Sequence, residues 1–145
     1  MIEERLVIAV PNGFREIGGS PSRHTDASKL AKPARRLLEI CGLTYVAAPN
    51  NPYWGFADGF PVEFVEMRGQ DIPNSVADRQ SNIDLGIVGT DRYENSTQIL
   101  LDEIRVVRTL GFGRCEFKLG VPTESERFSE SSKLEDVAGL KVATS

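Results

Sequence analysis

Leu6-Val7-Ile8-Ala9-Val10 is an unbroken apolar run, stopped at once by Pro11-Asn12-Gly13. A strand with one wet face alternates polar and apolar residues. A short continuous run ended by turn formers instead reads as a strand covered on both faces, as in a parallel sheet flanked by helices. Asp84-Leu85-Gly86-Ile87-Val88-Gly89 has the same character and also runs into glycine. Between the two, Leu30, Ala34, Leu37, Leu38 and Cys41 step by three and four, with Pro33 tolerated in a first turn and Gly42 placed for a C-terminal cap. That spacing predicts a helix. A second strand is predicted over Leu43 to Ala48. The aromatic stretch Tyr53-Trp54-Gly55-Phe56 and the hairpin-type signal Asp58-Gly59 then lead into a third over Val62 to Met67. Pro73 suits the first turn of a helix through about Arg79. Strand, helix, strand recurs, which is the pattern of an α/β fold.

A second part begins near Ile104. Ile104 to Leu110 and Cys115 to Val121 are strand-like runs separated by Gly111-Phe112-Gly113-Arg114. Residues 123–132 are polar and read as a loop. Ser132-Lys133-Leu134-Glu135 has capping-box spacing and predicts a short helix ending at Gly139, followed by a buried strand over Leu140 to Thr144. A strand in that position leaves an open edge of unpaired backbone groups.

A net charge of -4 and the absence of any Lys/Arg run disfavour nucleic acid as a partner. Residues 1–10 carry too short an apolar stretch for a signal peptide or a membrane span, so the expected compartment is the cytoplasm and no membrane partner is expected. Two distant cysteines, Cys41 and Cys115, with His24 as the one histidine, are too few ligands for zinc. Asn95-Ser96-Thr97 matches a glycosylation acceptor, which is without consequence in a cytoplasmic chain.

Ligands of open α/β sheets lie beyond the carboxyl ends of the strands. Three junctions there combine a glycine with polar groups or free N–H donors: Asn12 and Gly13 after the first strand, Arg68 to Asp71 after the third, and Gly89-Thr90-Asp91 after the fourth. Each singly is also ordinary turn chemistry. Arg68 could contact a ligand or form a salt bridge with Asp71 or Asp91. Asp71 could instead cap the helix that begins near Pro73.

Arg68-Gly69-Gln70-Asp71-Ile72-Pro73, then Val76-Ala77-Asp78, then Asp84 to Asp91 closely resembles the signature of the ATP phosphoribosyltransferases, which open histidine biosynthesis. Gly111 to Cys115, Gly120-Val121-Pro122, Leu134-Glu135-Asp136 and Gly139 to Ser145 resemble later blocks of that family. The resemblance implies a fold like the type II periplasmic binding proteins: a mixed, mostly parallel sheet with flanking helices and a cleft between two domains. On that reading residues 1–103 form domain I, the nucleotide side, with an insertion at about 15–28. Residues 104–145 begin an incomplete domain II, truncated before the donor-binding loop.

The implied reaction transfers phosphoribosyl from 5-phosphoribosyl pyrophosphate to N1 of ATP, with Mg²⁺ carried by the substrates rather than by a dedicated protein site. The implied partners are these two substrates, further copies of the chain and, for the short form of the family, a separate regulatory subunit. Asn12, Gly13, Lys29, Arg68, Asp71, Gly89, Thr90 and Asp91 would bind substrate, and no catalytic residue is assigned. The family's Lys-Gly-Arg after the first strand is here Pro11-Asn12-Gly13-Phe14, leaving Lys29 as the nearest stand-in for the arginine, and Asn51 falls where another arginine is common. A 145-residue piece is expected to be inactive alone. The alternative is a non-catalytic, cleft-type binding protein for small molecules or anions.

Overall fold

Ile8, Ala9 and Val10 lose nearly all contact with solvent, at 5%, 0% and 0% exposure, because the strand that carries them is flanked by strands on both edges and by helices on both faces. The computed structural model describes residues 4–15, 30–114, 124, 133–137 and 139. The chain divides into two compact units, Met1–Arg114 and Cys115–Ser145.

In the first unit the strands are β1 (Leu6–Pro11), β2 (Tyr45–Ala47), β3 (Trp54–Ala57), β4 (Val62–Met67) and β5 (Leu85–Gly86). The helices are α1 (Ala31–Ile40), α2 (Ile72–Ala77), α3 (Thr90–Glu94) and α4 (Gln98–Glu103). The five strands form one sheet in the order β2-β3-β4-β1-β5. β1 pairs in parallel with β4, Leu6 opposite Val62 through Pro11 opposite Met67, and with β5, Ile8 opposite Leu85. β3 runs antiparallel to both β4 and β2, so it alone opposes the other four. The sheet is therefore mixed, and the expected α/β class is the one observed. The aromatic stretch before Asp58-Gly59 is itself a strand, β3.

The alternation along β1 explains its unbroken apolar sequence. Ile8 and Val10 join a core with Phe14, Ala34 of α1, Tyr45, Ala57 and Phe64. Phe14, Tyr45 and Phe64 pack as a trio with ring centroids 5.3 to 5.7 Å apart, arrangements that add to plain area burial. Ala9 faces the other way, toward α2. There a Cβ on its register partner Gly86 would lie 2.5 Å from Cγ2 of Ile72 and 2.9 Å from Cγ2 of Val76. Gly86 is thus bare so that α2 can lie on the sheet. Gly42 ends α1 as expected, at φ +89° in the left-handed region, while the Leu43 N–H donates to the Leu38 carbonyl across the cap.

Several expectations need correction. Ile104 to Leu110 forms no strand: Ile104 is extended, yet no described strand offers the segment a ladder, and Val106 and Val107 are 54% and 73% exposed. The segment is anchored beyond its end, where Phe112 packs on the core. The helix expected through Arg79 stops at Ala77, and Asp78 turns to extended backbone. In the second unit the capping-box stretch makes a single 3-10 turn, Leu134–Val137. The Lys133 N–H donates to Asp136 Oδ2 at 2.8 Å, and the expected Ser132–Glu135 capping pair rests on Ser132, outside the described residues. Cys115 to Val121, Ser132, Leu140 to Thr144, Lys29 and residues 16–28 of the expected insertion lie outside the described residues.

Candidate functional site

Because β4, β1 and β5 are adjacent and parallel, their carboxyl ends bring the three glycine junctions to one edge of the sheet. The ladder continues past each strand: the Asn12 N–H donates to the Met67 carbonyl at 3.0 Å and the Ile87 N–H to the Ala9 carbonyl at 3.0 Å. Asn12 and Gly13 therefore leave the sheet beside Arg68, and Gly89 to Asp91 follow the strand on the other side. Lys29 falls outside the described residues.

The turn after β4 is open. The Asp71 N–H closes it on the Arg68 carbonyl at 2.9 Å. The Arg68 Nε donates to Asp71 Oδ2, also at 2.9 Å, between side chains 69% and 43% exposed. Asp71 stands at the N-cap of α2, yet its side chain makes no capping hydrogen bond. The salt-bridge reading of Arg68 is the observed one, with Asp71 as partner, and the capping reading of Asp71 is not. An ion pair this exposed contributes about 1 kcal/mol or less, so both groups can turn to a ligand at little cost.

The turn after β5 is open as well. Gly89 caps α3, and its carbonyl accepts from the Arg92 and Tyr93 N–H groups. A Cβ at Gly89 would strike the Asp91 carboxylate, so the glycine gives room for Asp91 to fold back over the first turn. Asp91 pairs with Arg92 at 3.6 Å, and among the described residues no ion pair joins it to Arg68.

The turn after β1 is different. Gly13 adopts φ +88°, the left-handed region, and Phe14 drives its ring into the core at 1% exposure. The N–H groups freed by this geometry are not available to solvent. Gly13 donates to Glu66 Oε2 at 3.1 Å and Arg15 to Glu66 Oε1 at 2.7 Å. The expectation of free donors at Gly13 is thereby corrected: a carboxylate from the next strand already holds them.

Burial pushes the Glu66 carboxyl above its ordinary range, against the N–H groups of Arg15, Gly13 and Phe14 and the Arg15 charge, which pull it down. Burial also raises the Tyr45 phenol, helped by the Glu66 charge and opposed by Arg15 and Arg35. The Tyr45 hydroxyl is buried and finds no hydrogen-bond partner among the described residues. Arg35 lies over the Tyr45 ring at 5.1 Å, pairs with Glu39 at 2.9 Å and donates to the Phe14 carbonyl at 3.2 Å. A surface groove of about 410 Å³ opens beside this turn, lined by Gly13, Phe14, Lys32, Arg35, Arg36 and Glu39. Glu66, Tyr45 and Arg35 carry no motif. The one signal in the sequence is a glutamate at the last but one position of a strand that the pattern places inside the sheet.

Among the described residues no group of three or more His, Cys, Asp or Glu side chains is placed to hold a metal ion, and no helix is long and apolar enough to cross a membrane.

The family model described as HisG, ATP phosphoribosyltransferase, matches residues 68–145, which include the turns after β4 and β5. The chain is 35% identical over 124 residues to the ATP phosphoribosyltransferase of Stenotrophomonas maltophilia (strain R551-3), covering 82% of this chain and 39% of that protein. It is 33% identical over 124 residues to the ATP phosphoribosyltransferase of Xylella fastidiosa (strain 9a5c), covering 82% and 38%. The chain spans about two fifths of the length of these relatives.

Proposed function

The chain belongs to the ATP phosphoribosyltransferase family, and from that premise we propose that it supplies the nucleotide side of an enzyme that joins 5-phosphoribosyl pyrophosphate to N1 of ATP in L-histidine biosynthesis. The observation that carries the reading is the coincidence of motif and place: the family match begins at Arg68, and its first two polar blocks stand at the carboxyl ends of β4 and β5, the two parallel strands that flank β1.

Displacement of pyrophosphate from the donor's C1 builds positive charge on the ribose, and it asks the protein for positioning and charge placement rather than a covalent nucleophile. Arg68 offers a guanidinium fork for phosphate once Asp71 releases it. Gly89, Thr90 and Asp91 offer a hydroxyl, a carboxylate and close backbone approach. Asn12 would contribute its side chain and Gly13 its bare Cα. Lys29 is proposed on family alignment alone. Mg²⁺ would arrive on the substrates' phosphates and neutralise the leaving pyrophosphate. Residues 1–103 would be the nucleotide side, and residues 104–145 the start of the donor side in a fold of the type II periplasmic-binding-protein kind. The assembly would be a cytoplasmic homo-oligomer, with a separate regulatory subunit if the enzyme is of the short form.

The test is incubation of the 145-residue chain, and of the complete reading frame that encodes it, with ATP, Mg²⁺ and 5-phosphoribosyl pyrophosphate, followed by mass spectrometry for phosphoribosyl-ATP. Product from the complete frame and none from the short chain is expected. No product from either overturns the reading. The occupied donors at Gly13 and Arg15 favour the second reading, a binding protein that has lost the nucleotide-phosphate contact after β1. Calorimetry showing no affinity for ATP or AMP would select it.

A further inference from the structure

The turn after β1 combines three features that one structural role does not explain together. Its Gly13 and Arg15 N–H groups point at the two oxygens of one carboxylate, in the manner of the backbone nests that hold phosphates and carboxylates. An anion already sits at that point, contributed by a side chain more than fifty residues along the chain. The turn also shares Gly13 and Phe14 with a groove that carries Lys32, Arg35 and Arg36 against the single acid Glu39, an excess of positive charge on the solvent side of the same backbone. We propose that the Gly13–Arg15 turn is an oxyanion-binding site whose resident anion is the chain's own Glu66 carboxylate, and that a tetrahedral oxyanion such as a phosphate group takes its place when that carboxylate is protonated or removed.

Occupancy by Glu66 keeps the site shut to phosphate at neutral pH, since two anions cannot share one set of donors at hydrogen-bond distance. The half-buried setting that makes the charged carboxylate costly to hold makes its protonation, and so its release of the donors, easier than for a surface glutamate. Groups facing Glu66 are Arg15 on the turn, Tyr45 on β2 and, across the Tyr45 ring, Arg35 on α1. β1 and β3 present no charged residue. Among these, Arg15 and Arg35 are the cationic groups, and both favour an incoming anion. The inference stands on the geometry of the turn and does not depend on the reaction proposed above.

The experiment follows the Gly13 and Arg15 amide resonances of the full chain by ¹⁵N–¹H NMR while inorganic sulfate, whose charge is constant over the range, is titrated against chloride at matched ionic strength. In the wild type at neutral pH neither amide should show a saturable response. As pH is lowered through the Glu66 titration both should, and Glu66→Ala should respond at neutral pH, to sulfate and to inorganic phosphate, with affinity about tenfold or more above the wild type. A folded Glu66→Ala, or Glu66→Gln if the alanine variant does not fold, whose two amides respond no more than the wild type's overturns the proposal. Should neither variant fold, the wild type decides alone: sulfate must raise the Glu66 titration midpoint read on its carboxyl carbon, and an unchanged midpoint overturns the proposal.

Discussion

The turn after β1 and the turns after β4 and β5 leave the same edge of the same sheet, from neighbouring parallel strands, and each is built around a glycine, yet they are finished in opposite ways. The first turn is closed inward: Phe14 is in the core, and Glu66 takes the Gly13 and Arg15 N–H groups. The other two are finished outward, with Arg68, Asp71 and Asp91 in exposed ion pairs that water or a ligand can replace. The topology of an α/β sheet therefore nominates an edge. Which turn on that edge is available is decided by where its donors are spent, a matter of partners far away in sequence.

The contrast can be broken hardest at Phe14. Phe14→Ala removes the ring that pins the closed turn among Tyr45 and Phe64, and should lower unfolding free energy by about 3–5 kcal/mol in urea titration. A loss of under about 1 kcal/mol would mean that the turn is not a core element.

Gly86→Ala addresses the open side from beneath. A methyl group there meets Ile72 and Val76, so α2, which carries Asp71 at its N-cap, must lift. The expected cost is about 1–3 kcal/mol by the same measurement. Retained stability would show that α2 is not seated on β5.

Glu66→Gln sharpens the comparison through pH. A carboxyl whose folded pKa is raised binds its proton more tightly in the folded state. Its stabilising contribution is full below the unfolded value and is lost as pH rises through the raised folded value. Wild-type urea midpoints should fall across that window, and those of the glutamine variant should be flatter. Parallel profiles would contradict the burial assigned to Glu66.

The smallest effect on stability is expected at Arg68. Arg68→Ala breaks only an exposed pair and should change unfolding free energy by about 1 kcal/mol or less. Affinity for ATP, measured by calorimetry, should fall about tenfold or more on loss of a charge-assisted contact. The reverse pattern, a stability loss with unchanged affinity, would make Arg68 structural.

How much of this was legible in the sequence depends on the range over which each feature is decided. The run from Leu6 to Val10, the stepping of α1 and the cap at Gly42 are written within one or two turns of chain, and they form as read. β5 is shorter than its apolar run, because the ladder with β1 holds only Leu85 and Gly86 in register and ends with the Ile87 N–H on the Ala9 carbonyl. Ile104 to Leu110 has strand composition, but composition supplies no neighbour to pair with. At the candidate site the glycine junctions were legible and their common edge followed from the order of strands. The state of the β1 turn was not. Asn12-Gly13 reads the same whether its N–H groups face water or Glu66, and nothing local to either segment announces a contact spanning more than fifty residues.

On the proposed reading the nucleotide takes its backbone and charged contacts from the open turns, while the N–H donors of the closed turn stay with Glu66. Mapping backbone amide shifts of the chain on addition of Mg²⁺ and ATP at neutral pH tests it most directly. Saturable shifts should be largest at Arg68 to Asp71 and Gly89 to Asp91, and small at Gly13 and Arg15. Shifts confined to Gly13 and Arg15, or no saturable shift at either open turn, would contradict it.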